Sequence, residues 1–229
     1  GKADLSFGLV NQTGMNKFNS LSKTNMSFDQ IGVVFNLSKT PNASINIGFN
    51  YHKSRNFDQL LNAANTLNNA SQNKLTYQKY RNQVFKERKD LTYSQLDALY
   101  MDNLLYDNRT KKYYNFPATG YLYNQENKGY IGEYDMNLSA NLNDRVYLGL
   151  TMGIHDVHYK GYAEYTENFV PNANNIPGLT LNDSREITGT GFDVKLGAIV
   201  RPMAESPFRL GAYIHTPVWY DLTTSNYTV

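Results

Sequence analysis

Cysteine is absent from the 229 residues. That excludes disulfides, zinc–thiolate centres and thiol catalysis. No run of about 18 apolar residues exists to build a transmembrane helix, and the mean hydropathy is −0.56. Charge of one sign is also lacking, since 22 Lys and Arg stand against 20 Asp and Glu for a net +2. Charge alone therefore gives no nucleic-acid footprint. Gly1-Lys2-Ala3-Asp4 lacks the apolar segment of a secretory signal, although a mature exported protein would have shed one. There is no Gly-x-Ser-x-Gly nucleophile elbow, and the adjacent His155-Asp156 pair alternates in orientation. No enzyme is expected.

What the chain has is alternation. Tyr130, Tyr134, Met136, Leu138, Ala140 and Leu142 share one parity, and Glu133, Asp135, Asn137, Ser139 and Asn141 take the other. Period two predicts a strand with one apolar and one polar face. Leu142-Asn143-Asp144-Arg145 supplies a turn, and the pattern restarts as Val146, Leu148, Leu150, Met152 and Ile154, opposite Tyr147, Gly149, Thr151, Gly153 and His155. Long two-faced strands joined by a tight turn suit a membrane-spanning β-barrel, and the 19 tyrosines suit its aromatic girdles. A long hairpin in a soluble sandwich is the alternative.

The same pattern covers Ile31 to Leu37, Ala43 to Tyr51, Phe192 to Val200 and Phe208 to Ile214, with a shorter candidate at Leu5 to Val10. Between 53 and 127 the period becomes helical. Phe57, Leu60, Leu61, Ala64 and Leu67 fit one face of an amphipathic helix. Tyr77, Tyr80, Val84 and Phe85 indicate a second helix, flanked by Lys79, Arg81, Lys86, Arg88 and Lys89. Thr92 and Gln95 resemble a capping box before a third, carrying Leu96, Leu99, Tyr100 and Leu104. An insert this long reads either as a functional lid or as a cover packed on itself. Glu164 to Asp183, with Pro171, Pro177 and Gly178, reads as a loop. Connections then run short (38–42), long (53–127), short (142–145), long (161–186) and short (202–207). Outer-membrane barrels alternate short periplasmic turns with long outer loops in this way. Six strands, or seven with 5–10, fall below the eight of the smallest bacterial barrels. The expectation is one segment of an all-β, antiparallel up-and-down transmembrane barrel over 1–229, partial or a fragment, with a helical outer insert at 53–127.

Three stretches resemble the outer-membrane long-chain fatty-acid transporters, the FadL/TodX type. They are Ser44-Ile45-Asn46-Ile47-Gly48-Phe49-Asn50-Tyr51 with Arg55-Asn56-Phe57, Gly189-Thr190-Gly191-Phe192 with Lys195-Leu196-Gly197-Ala198, and Arg209 to Pro217. The resemblance covers about 28–222. It implies a fourteen-stranded barrel with an N-terminal hatch, taking up fatty acids, aromatic hydrocarbons and similar apolar molecules by diffusion across the bacterial outer membrane. No recognisable hatch is present in this sequence.

Under that reading the apolar faces around Leu60, Leu61, Leu67, Leu96, Leu99 and Tyr100 line a groove for a hydrophobic small molecule, and Lys86, Arg88 or Lys89 meets a carboxylate head. The competing reading packs these faces together and leaves the basic run solvated or against lipopolysaccharide. Neither cofactor nor nucleic acid is expected, and nothing fixes the oligomeric state. His155 and His158 point to opposite faces of a strand, so they do not share a metal. His52, His155 and His215 share the polar parity and either converge or hydrogen-bond separately. Two alternatives stay open for function: a cell-surface structural or binding protein without transport, and a soluble lectin-like β-sandwich.

Overall fold

The structure is a computed structural model that describes residues 2–11, 24–68, 70–87 and 94–229. It is mostly β, with the strands in an antiparallel, up-and-down sheet. β1 (Lys2–Asn11), β2 (Thr24–Lys39) and β3 (Ala43–Asn56) precede β4 (Gln59–Thr66). Helices α1 (Gln72–Arg81), α2 (Val84–Glu87) and α3 (Gln95–Tyr100) follow, and α3 runs into a π-helical turn at Met101–Leu105. β5 (Tyr106–Asp107) and β6 (Lys112–Tyr113) make a small two-stranded pair. β7 (Ala118–Leu142), β8 (Val146–Phe169), β9 (Gly178–Val200), β10 (Leu210–His215) and β11 (Trp219–Thr228) complete the chain. The sheet order is β1-β2-β3-β7-β8-β9-β10, with β4 on β7 and β11 on β9. Among the described residues the path is open, and no helix is long and apolar enough to cross a membrane.

The chain divides into two compact units. The first holds residues 1–58, 128–160 and 186–225, and the second holds 59–127, 161–185 and 226–229. In the first unit, alternation sets the strands and short turns set their register. Asn143 (φ 54°) and Asp144 (φ 51°) are both left-handed, and Arg145 N donates to Leu142 O at 3.0 Å. Two left-handed residues in succession match the right-handed twist of the flanking strands, and Asn and Asp accept that conformation at low cost. β3 pairs β7 with Phe49 opposite Met136, Asn50 opposite Asp135 and His52 opposite Glu133. β9 pairs β10 with Lys195 opposite His215. Near Pro217, which has no amide hydrogen to give a ladder, Thr216 N reaches Val194 O at 3.0 Å, and Val194 N takes Thr216 Oγ1.

Two expectations fail in the second unit. Residues 59–66 are not helical but form β4, with Leu60 opposite Glu126 and Leu61 opposite Gln125. The i, i+3, i+4, i+7 spacing of Phe57, Leu60, Leu61 and Ala64 does not exclude a strand at 59–66 that buries Leu60 and exposes Leu61, and the ladder with β7 decides the matter. Residues 164–183 are not one loop either. β8 runs to Phe169, β9 starts at Gly178, and only 170–177 connects them. Apolar residues here are few, with Tyr165, Phe169, Leu179 and Leu181 set among Glu164, Glu167, Asn168, Asn182 and Asp183, so the alternation is too sparse to stand out from a loop. The strand ends also pair through groups such as Thr166 Oγ1 with Thr180 Oγ1 (3.0 Å) and Tyr162 OH donating to Asn182 Oδ1 (3.0 Å).

The second unit has an ordinary apolar core of Tyr100, Met101, Leu105, Phe116, Ala118 and Phe169. The helices in 72–105 lie where the sequence places its second and third. Ser94 caps α3, its Oγ accepting from Asp97 N at 3.1 Å. The expected capping residue, Thr92, lies outside the described residues.

Candidate functional site

Within the first unit, the polar parities of five strands meet. His52 from β3, Glu133 and Asp135 from β7, His155 from β8, Asp193 and Lys195 from β9, and His215 from β10 form one network. Their Cα register already sets His52 beside Glu133 and Lys195 beside His215. Lys195 Nζ donates to Glu133 Oε1 and, at 3.2 Å, to Asp135 Oδ1. His155 Nε2 lies 3.0 Å and His215 Nε2 2.8 Å from Asp193 Oδ2. His52 Nε2 is 3.3 Å from Glu133 Oε2, and its Nδ1 is 3.6 Å from Asp135 Oδ2. Tyr220 presents its ring to His155 at 5.7 Å between centroids, near edge-on. Gly153 makes the packing possible, because a Cβ there would stand 2.5 Å from Asp193 Oδ1. Uncharged hydrogen bonds extend the polar lattice: Gln30 to Asn50 (3.2 Å) and Asn137 to Thr151 (2.7 Å).

The distribution of exposure across these strands is inverted. Glu133, His155 and Asp193 are 6, 4 and 0% exposed, whereas Ile154, Leu196 and Tyr134 are 54, 52 and 51% exposed. A charge taken out of water needs a partner and hydrogen bonds, and the network supplies both. The apolar parity has no such cover. It carries a groove of about 480 Å³ lined by residues that include Ile31, Phe49, Tyr134, Met152, Ile154 and Phe192. Aromatic rings cluster on this unit, with Tyr51 and Tyr134 4.8 Å apart between centroids and Phe192 and Trp219 6.4 Å apart.

The residues expected to bind an acyl chain all fall in the second unit. Tyr100 is buried in the apolar core, and Leu67 and Leu96 pack against that core. Leu60 is buried on β4, Leu61 is exposed there, and Leu99 is half-buried on α3. Leu67, Leu96 and Tyr100 are thus brought together as packing. Lys86 belongs to α2 by its backbone, but its side chain, like Arg88 and Lys89, lies outside the described residues. Two polar knots hold the helices. Asp97 accepts from Thr76 Oγ1 (2.7 Å), Lys79 Nζ (2.9 Å) and Ser94 Oγ (2.9 Å). Burial pushes its pKa up, but the bonds from Lys79, Thr76 and Ser94 outweigh burial and hold it below the usual carboxylate value. Glu167 accepts from Gln72 N (2.7 Å), Asn73 Nδ2 (3.1 Å) and Tyr165 OH (2.8 Å). A carboxylate on the first free amides of α1 also complements the positive end of that helix.

No family model matches the chain, and no curated protein or solved structure is significantly similar to it. The polar network is what the sequence reading did not assemble. Its signal was the shared parity of His52, His155 and His215. His158, by contrast, is exposed and 2.9 Å from Asp156 Oδ2, away from the cluster.

Proposed function

We propose that the chain is part of a bacterial outer-membrane β-barrel that passes small apolar molecules, such as long-chain fatty acids, by passive diffusion. The observation that carries this reading is the inverted first unit, with ionised side chains buried on one parity and large apolar side chains exposed on the other. Fully burying a Leu, Ile or Phe side chain is worth about 1.5–3 kcal/mol. A face carrying Ile31, Phe35, Phe49, Leu138, Ile154 and Leu196 in the open is costly in water and stable in hydrocarbon. Passive uptake needs no cofactor, since each methylene leaving water contributes about 0.8 kcal/mol. Closure in a bilayer requires strands beyond this open path, because unpaired sheet edges are not tolerated there.

A second reading, a cell-surface structural or binding barrel without transport, draws support from the second unit. There Leu67, Leu96 and Tyr100 pack into a closed apolar core rather than facing an open groove. Detergent dependence tests the shared part of both readings. Folding and monodispersity only in micelles supports the membrane assignment, and a folded, monodisperse chain in plain buffer overturns it in favour of a soluble β-sandwich. Protection of residues 59–127 from proteolysis by a fatty acid then separates transport from the second reading.

A further inference from the structure

We propose that Glu133 and His155, with Asp193 behind the imidazole, form a binding site for one divalent transition-metal ion of the zinc class. Charge gives the first reason. Three carboxylates, Glu133, Asp135 and Asp193, face a single ammonium, Lys195, and three imidazoles. Three carboxylates against one ammonium leave a deficit of two, to be met by imidazole protons or by a bound cation, at a site whose Glu133 and Asp193 are buried. A divalent cation matches that deficit.

The orphaned atoms give the second, independent reason. His155 Nδ1 is buried without a hydrogen-bond partner, as is Asp193 Oδ1. His155 Nε2 lies 3.0 Å from Asp193 Oδ2, and the tautomer that donates there presents a lone pair at Nδ1. A carboxylate that fixes the ring tautomer from behind is the usual companion of a metal-binding histidine. Lys195 holds Glu133 by Oε1, which leaves Oε2 turned to the imidazoles, 4.0 Å from His155 Nδ1 and 3.3 Å from His52 Nε2. The first of these is too long for a hydrogen bond. A tetrahedral ion bonded to both atoms at about 2.0–2.2 Å would hold them about 3.4 Å apart, so ligation draws Oε2 and Nδ1 together by roughly half an ångström. Candidate ligand atoms of Glu133, His155 and Asp193 all lie within 4.8 Å of one another, so Asp193 is near enough to orient the ring or to complete the ligand set. Imidazole among carboxylates selects zinc-like ions over calcium, which prefers oxygen alone.

The test is a zinc titration of the whole chain, stripped with EDTA and folded in micelles, with bound zinc counted by mass spectrometry. It runs equally in plain buffer, so it stands whether or not the membrane reading does. One zinc per chain is expected, bound at micromolar concentration or below. His155→Gln and Asp193→Asn each weaken it by about tenfold or more, and His158→Gln leaves it unchanged. Because the first two variants alter a buried network, Co²⁺ bound to the unaltered chain provides a readout free of refolding effects. Visible absorption of low-coordinate cobalt is expected. Failure to retain zinc at micromolar concentration, equal loss in His158→Gln, or a cobalt spectrum like that of the aqueous ion overturns the site.

Discussion

The two units of this chain solve the burial problem in opposite ways. In the second, apolar groups go inside: Tyr100, Leu105, Phe116 and Phe169 exclude water, and the few buried polar groups, Asn73, Thr76, Asp97 and Glu167, serve helix starts and crossings. In the first, ionised groups go inside, and Ile154, Leu196 and Phe49 are left outside. Both units draw on the same residue types. What differs is which groups each one buries. The second has an apolar core with its polar knots at the helices. The first is held within by hydrogen bonds and ion pairs, and its large apolar side chains lie exposed.

This contrast can be broken at either end. Removing the anion at the centre of the first unit, Asp193→Ala, leaves His155 and His215 without their shared acceptor. A loss of about 3–5 kcal/mol is expected, as for a broken buried ion pair, read as a lowered denaturation midpoint of the β-sheet signal. Leu105→Ala in the second unit should cost about 2–5 kcal/mol through the cavity it opens. The measurement is proteolysis of 59–127, with Leu196→Ala in the first unit showing far less effect. Ile154→Arg sharpens the contrast further. In a bilayer it should destabilise by about 2–4 kcal/mol near the midplane, while in plain buffer an exposed arginine costs almost nothing. Equal stability of parent and variant in lipid would sink the hydrocarbon-facing assignment.

The smallest effect expected is one of pH. Asp97 has its folded pKa held below the unfolded value, so the unfolded chain takes up the proton first as pH falls. Stability from this knot is therefore complete above about 3.9, the ordinary Asp value, and declines as pH drops through the depressed folded value. Hydrogen exchange of α1 and α3 should rise over that window in the parent. In Asp97→Asn it should be faster at neutral pH and flat across the same window.

Much of the first unit was legible because its strands keep strict parity over many residues, as in 130–142 and 146–154. The sites of failure were different in kind. At 59–66 a leucine pair and an alanine fit two periods at once, and only pairing with 120–127 distinguishes them. At 161–169 and 178–186 apolar residues such as Phe169 and Leu179 are too few among polar ones and Pro171, Pro177 and Gly178 to read as strands. Helix α3 was legible through Leu96, Leu99 and Tyr100, yet their role was not, since an amphipathic face looks the same whether it lines a groove or fills a core. The histidines showed their parity in the sequence. Their convergence depends on register, which sets His52 against Glu133 and His215 against Lys195, and register cannot be read from one strand alone.

The wide sequence spacing of the network also bears on the order in which the chain assembles. The β7–β8 hairpin closes through three residues, Asn143, Asp144 and Arg145, and can form on the microsecond scale typical of hairpins. His52 and His215 must arrive from far along the chain on either side, and such non-local contacts form slowly. Until both flanks dock, Glu133 and Asp193 lack part of their partner set, so partly assembled sheets hold little of the final stability. Since β3, β7, β8, β9 and β10 each contribute a member, the network ties the stability of these five strands together.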